Sequence, residues 1–145
     1  MQGEVLALAH RPLKGAPMAT TSILTLTPEN GVVEDYGSSL RRQVTILAES
    51  SWEMACKEVD EDLDWTSRRA NVLVREIDLQ SLVNTHVHLG TAIIEVLGEV
   101  DPCHVMDAAQ QGLKKALKPD WRGGVYGKVI QSGEIRIGDT IHSSQ

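Results

Sequence analysis

Arg42-Gln43-Val44-Thr45-Ile46-Leu47 runs directly into Ala48-Glu49-Ser50-Ser51-Trp52-Glu53. The first six residues are β-branched and alternate, with Val44 and Ile46 on one side and Gln43, Thr45 and Leu47 on the other, which is the pattern of a strand. The next stretch holds the Ser-x-x-Glu spacing of a capping box, so a helix is expected with Ser50 as its cap and Glu53 reaching back. Trp52, Ala55, Cys56 and Val59 would share its buried face, and Cys56 reads as a core residue.

More strands appear on both sides of this pair. Upstream are Glu4 to His10 and the Thr-rich stretch around Ile23, Leu24 and Leu26, separated by a Pro- and Gly-containing loop. Val32 to Ser39 looks irregular. Downstream, Asn71 to Ile77 sets Val72 and Val74 against Leu73 and Arg75. Thr91 to Val100 sets Ala92, Ile94 and Val96 against Ile93, Glu95 and Leu97. Pro102 then turns the chain. A second helix is expected from Met106 to Leu117, with Met106, Ala109, Leu113, Ala116 and Leu117 on its buried stripe and Pro119 ending it. Val125 to Gln131 and Glu134 to Ile141 read as a hairpin about Ser132-Gly133. About seven short strands and two helices in a small chain suggest a mostly β barrel with helices on its outside or across its ends.

The chain has 145 residues, which fits one domain spanning 1–145, and its 41% apolar and 23% charged residues are those of a globular protein. The net charge of -6 argues against a nucleic-acid surface. No apolar run is long enough to span a membrane and no leader pattern opens the chain, so a cytoplasmic protein is expected. Two widely separated Cys residues, Cys56 and Cys103, form no disulfide framework and suit a reducing compartment.

Three features could carry chemistry. Cys103 sits in the strand-to-helix turn Asp101-Pro102-Cys103-His104, where a thiol can be a nucleophile, a metal ligand, a sulfur carrier or a small buried residue. Arg41-Arg42, Arg68-Arg69 and Arg122 cluster in an acidic chain. They fit either a small anion site or solvated surface charge. Gly123-Gly124 lets the backbone approach a ligand or bend tightly. His86 and His88 would share a strand face, but zinc needs further ligands and no CxxC or HxxxH supplies them. The acidic run Asp60-Glu61-Asp62 with Asp64 lacks the spacing of a calcium loop and reads as a solvated turn.

In order along the chain, Arg42 to Leu47 with Glu49 to Trp52, Arg68-Arg69-Ala70-Asn71-Val72, Leu89-Gly90-Thr91-Ala92, Pro102-Cys103, Arg122-Gly123-Gly124-Val125 and Gly133 to Asp139 together resemble the MOSC domain, of the small stand-alone prokaryotic type. The resemblance covers residues from about 41 onward and implies a β-barrel that binds the molybdenum cofactor, a pterin dithiolene bearing a phosphate, or delivers sulfur to it. It implies that Cys103 ligates molybdenum or carries a persulfide, and that Arg69 and Asn71 meet the phosphate and pterin. Arg42, Arg122 and Gly123 lie in matching segments and could complete the cradle. The activities implied are a molybdenum-dependent reduction of N-hydroxylated or N-oxide compounds, with electrons from a separate reductase, and sulfur transfer, with a cysteine desulfurase as partner. A non-catalytic binding module stays open. The chain departs from the family near Glu34-Asp35-Tyr36-Gly37, where relatives often carry a His. It also has no pyridoxal-phosphate domain, no Gly-x-Gly-x-x-Gly motif and no four-Cys cluster set, so it supplies neither sulfur nor electrons by itself.

Overall fold

The structure, a computed structural model, describes residues 1–36, 41–102 and 104–143. The strands are β1 (Gln2–His10), β2 (Ala19–Thr21), β3 (Ile23–Thr27), β4 (Gly31–Val32), β5 (Val44–Ala48), β6 (Val72–Arg75), β7 (His86–Leu89), β8 (Ala92–Glu99), β9 (Val125–Gln131), β10 (Gly133–Arg136) and β11 (Thr140–Ser143). The helices are α1 (Glu49–Glu58), α2 (His104–Ala109) and α3 (Leu113–Leu117), with 3₁₀ turns at Trp65–Arg68, Leu79–Leu82 and Pro119–Trp121.

Seven strands close into a barrel in the order β1, β11, β7, β8, β9, β5, β6 and back to β1, with β2 attached outside the ring on β1. Every pairing in the ring is antiparallel except β5 with β6. A parallel pair needs a crossover, and α1 with the Trp65–Arg68 turn provides it. The alternation expected of β5, β6 and β8 holds. Val44, Ile46, Val72, Val74, Ala92, Ile94 and Val96 all enter the barrel core, while Leu47 and Leu73 face outward beneath the helices. On β1 the period is broken by a bulge between Val5 and Ala7. Val5 and Leu8 therefore both point inward, and Leu6 and Ala7 pack against the helical layer. Leu79 and Leu82 join the core from the turn after β6. Leu24, Leu26, Val32 and Ile135 join it from a separate three-stranded sheet of β10, β3 and β4. The helices pack over the outer face of β5 and β6 through Trp52, Ala55, Cys56, Met106, Leu113 and Leu117.

Four expectations are corrected. Helix α1 begins at Glu49 with Ala48 as its cap, and no side chain bonds there. Ala48 is still paired with Val74, so the helix starts where the ladder lets go and Ser50 falls inside the first turn. The single helix expected over Met106 to Leu117 is two. Gly112 adopts φ 86, a left-handed conformation that interrupts the helical ladder, and Asp107 Oδ1 accepts from Lys114 N at 3.0 Å to start α3 anew. The break keeps Met106, Leu113, Ala116 and Leu117 buried but leaves Ala109 exposed. The hairpin about Ser132-Gly133 does not form. Only Ser132 separates β9 from β10, too short a link to reverse the chain, and β10 pairs with β3 instead. The turn after β10 also divides the expected strand Glu134 to Ile141, and its distal part is β11, a barrel strand.

Candidate functional site

Cys103 lies outside the described residues. Its chain neighbours do not, and they are held by a buried arginine. Arg68, only 6% exposed, donates from Nε to the Gly123 carbonyl and from Nη2 to the Val100 carbonyl, each at 3.0 Å. Its Nη1 lies 3.8 Å from the Met106 sulfur. One guanidinium thus ties the end of the barrel wall, the start of α2 and the Gly123 turn together, contacting the chain on both sides of position 103. Hydrogen bonds made by a charged donor in a dry setting are among the stronger ones.

Gly123 has little room to spare. A Cβ there would stand 2.6 Å from the Val100 carbonyl oxygen and 3.1 Å from Arg68 Nη2. The close approach at this glycine is therefore to the protein's own backbone.

Arg69, next in sequence, faces the other way. It is exposed, and its backbone is left-handed at φ 67, where its N–H donates to the Thr66 carbonyl at 2.9 Å. It lines a groove of about 380 Å³ with Thr66 and Ser67 on one wall, Val105, Ala108 and Ala109 of α2 on the other, and Pro17 and Met18 beside them. That volume is in the range of small-molecule sites, roughly 300–1,000 Å³. The Thr66–Arg68 wall is fixed by Asp64, whose Oδ1 accepts from Thr66 Oγ1 at 2.7 Å and Thr66 N at 2.9 Å. The Thr66 hydroxyl and then its backbone N–H hold the Asp64 carboxyl below its ordinary range.

The remaining residues singled out from sequence have other surroundings. Asn71 is buried and fully engaged. Its Oδ1 accepts from Thr45 N and Thr45 Oγ1, each at 3.1 Å, and its Nδ2 donates to the Ala9 carbonyl at 3.2 Å. It clamps β5, β6 and β1 at the parallel pair. Arg122 is also buried, and its Nη1 donates to Glu58 Oε1 at 2.7 Å and to the Ala116 carbonyl at 3.0 Å. Arg42 is exposed, 4.9 Å from the centre of the Tyr126 ring, where Arg41 also donates to the Tyr126 hydroxyl at 3.1 Å. The three arginines Arg42, Arg69 and Arg122 thus occupy three different environments, and of these only Arg69 lines the groove.

Two acidic residues, Glu99 and Asp101, precede Cys103 in the chain. The Glu99 carboxyl is pushed up, first by desolvation and then by the neighbouring Asp101. Farther off, Glu34 and Asp35 are occupied locally. Glu34 Oε1 accepts from Thr25 N at 2.9 Å, its carbonyl accepts from His10 Nδ1 at 3.0 Å, and Asp35 accepts from Arg11 N. Gly37 is not among the described residues. His88 stacks on His142 of β11 with ring centres 4.6 Å apart, and no group of three metal-ligating side chains occurs among the described residues. No helix among them is long and apolar enough to cross a membrane.

The sequence profile of the MOSC domain matches residues 32–142. The chain belongs to the MOSC domain family. MOSC domains are associated with molybdenum-cofactor-related proteins. The barrel is similar to the crystal structure of the YuaD protein from Bacillus subtilis, at 20% identity and a TM-score of 0.82 over all of this chain and 98% of that one. It is also similar to YiiM from Escherichia coli (15%, TM-score 0.75, all of this chain and 70% of that one) and YiiM from Geobacillus stearothermophilus (12%, TM-score 0.72, 99% and 73%). At these identities the likeness concerns the fold. No curated protein matches the chain.

The MOSC residue that sequence reasoning undervalued is Arg68. Its pairing with Arg69 was visible, but the 3₁₀ turn that sends one inward and the other out depends on the Asp64 cap. The Asp64-x-Thr66 spacing was the available signal.

Proposed function

We propose that this MOSC protein binds the molybdenum cofactor in the Arg69 groove, with Arg69 on the phosphate and Cys103 as the molybdenum ligand. The observation that carries this reading is that Arg69 and α2 line one groove, and α2 begins at the residue after Cys103. The groove's chemistry suits the group. A guanidinium can donate a fork of N–H groups to phosphate, and a soft thiolate suits molybdenum already bound by dithiolene sulfur. Arg69 also holds a left-handed backbone position that glycine would occupy with about 1 kcal/mol less strain, which fits a side chain kept for contact. Asn71 and Arg122 support the walls in this reading, since the Asn71 amide bonds Thr45 and Ala9 and Arg122 Nη1 bonds Glu58 and the Ala116 carbonyl, although the buried Arg122 Nε has no partner among the described residues. The pterin edge is left to Thr66, Ser67 and the groove's backbone.

When bound, the cofactor supplies two-electron redox chemistry, and the reaction we assign is reduction of N-hydroxylated or N-oxide compounds. Electrons come from a separate reductase, in keeping with the absence of a dinucleotide motif. A cytoplasmic setting suits the two separated thiols.

The test is molybdenum and pterin content of protein purified anaerobically from a cofactor-producing host, wild type beside Cys103→Ser. Near-stoichiometric molybdenum and pterin in wild type, with molybdenum lost in the variant, is the expected result. Folded protein carrying no pterin in either case contradicts it. A gain of one sulfur on Cys103 after incubation with a cysteine desulfurase and cysteine would then point to a sulfur carrier.

A further inference from the structure

The helical layer holds a second and larger groove, of about 660 Å³. Its floor is apolar, made of Trp52, Cys56 and Leu63, and Met54 stands beside it 53% exposed. The floor is preformed, because the Trp52 indole N–H donates to the Leu63 carbonyl at 3.0 Å. Its rim is acidic. Glu53 comes from α1, and Asp60, Glu61 and Asp62 come from the turn after it, against the single cation Lys57.

Nearby carboxylates have internal work. Glu58 pairs with Arg122, and Asp64 caps the next turn. The four on the rim do not: among the described residues, none of their side chains forms an ion pair or hydrogen bond. Three like charges in a row repel one another, and Lys57, the one cation lining the groove, forms no ion pair with them among the described residues. An apolar floor inside a rim of one sign complements a ligand with an apolar body and cationic flanks.

We infer that this groove docks a basic segment of a partner protein. An apolar side chain of that segment sits on Trp52 and Leu63, and its Lys or Arg residues meet Glu53 and the Asp60–Asp62 turn. Nucleic acid is repelled by the same carboxylates. A single small ammonium ion would satisfy only part of a rim that spans a helix and the following turn. The inference does not rest on the cofactor assignment. It gives a place for a protein that delivers electrons or sulfur, since the turn leads directly into the Trp65–Arg68 wall beside Arg69.

The test is an anisotropy titration of the full chain with a fluorescein-labelled amphipathic peptide of lysine and leucine, with amide-shift mapping by NMR. Asp60→Asn/Glu61→Gln/Asp62→Asn is expected to weaken binding about tenfold. Removing equal charge elsewhere, with Glu29→Gln/Glu76→Gln/Asp78→Asn, is expected to change it less than about twofold. Met54→Ala should weaken binding without altering its salt dependence. Amide shifts should centre on α1 and the following turn. Equal weakening by both triple variants, or shifts scattered over the surface, would overturn the inference.

Discussion

Arg68 and Arg69 are consecutive residues with opposite employment. Arg68 is buried and bonds the Val100 and Gly123 carbonyls, while Arg69 is exposed on a groove and, among the described residues, bonds its neighbours through its backbone alone. The same division runs through the whole site. Asn71, Gly123 and Arg122 belong with Arg68 to a dry frame, whereas Arg69, Thr66, Ser67 and α2 form an open face. A family pattern written in one line of sequence mixes these two kinds of residue. Substitutions should separate them, because frame residues act on stability and face residues on ligand.

The largest effect is expected at Arg68. Arg68→Met strands the Val100 and Gly123 carbonyls without a donor, and we expect a loss of roughly 3 kcal/mol in urea unfolding. A loss below about 1 kcal/mol would remove Arg68 from the frame. Asn71→Ala comes next, at about 2 kcal/mol, because it leaves Thr45 N and the Ala9 carbonyl unmet between three strands. Arg69→Gly should go the other way and gain about 0.5–1 kcal/mol by relieving the left-handed backbone, while losing bound pterin. If it is destabilised, Arg69 is a frame residue too and the division fails.

The smallest effects concern pH. Glu99 has its carboxyl raised in the fold, so the folded chain holds that proton more tightly than the unfolded one. Its contribution is most favourable below the ordinary carboxyl range and declines as pH rises through the raised value. Glu99→Gln should remove that decline and gain a few tenths of a kcal/mol near neutrality. Asp64 has the opposite sign. Its lowered carboxyl supports the fold above about pH 4, and that support fades as pH falls through the lowered value. Stability curves of Glu99→Gln and Asp64→Asn against pH should therefore diverge from wild type in opposite directions, and parallel curves would count against both assignments.

Strand periodicity made the barrel wall legible. Val44, Ile46, Val72, Val74, Ile94 and Val96 could be placed from alternation alone, and Trp52, Ala55 and Cys56 from helical spacing. What the period could not show depends on partners distant in sequence. β10 leaves β9 for β3, more than a hundred residues upstream, and the break between α2 and α3 turns on Gly112 and on Asp107 reaching Lys114. The site followed the same rule. Cys103, Arg69 and Asn71 were picked out by motif, but only the fold shows that Asn71 bonds Thr45 and Ala9 while Arg69 faces a groove.

The assignment of Arg69 as the ligand-facing member of its pair can be tested directly. The most direct measurement is pterin released per chain from Arg69→Ala, Cys103→Ser and wild type, each expressed in a cofactor-producing host and shown by thermal melt to be folded. We predict that Arg69→Ala loses pterin and molybdenum together at unchanged stability, while Cys103→Ser loses molybdenum and keeps part of the pterin. A full complement of both in Arg69→Ala would contradict that assignment.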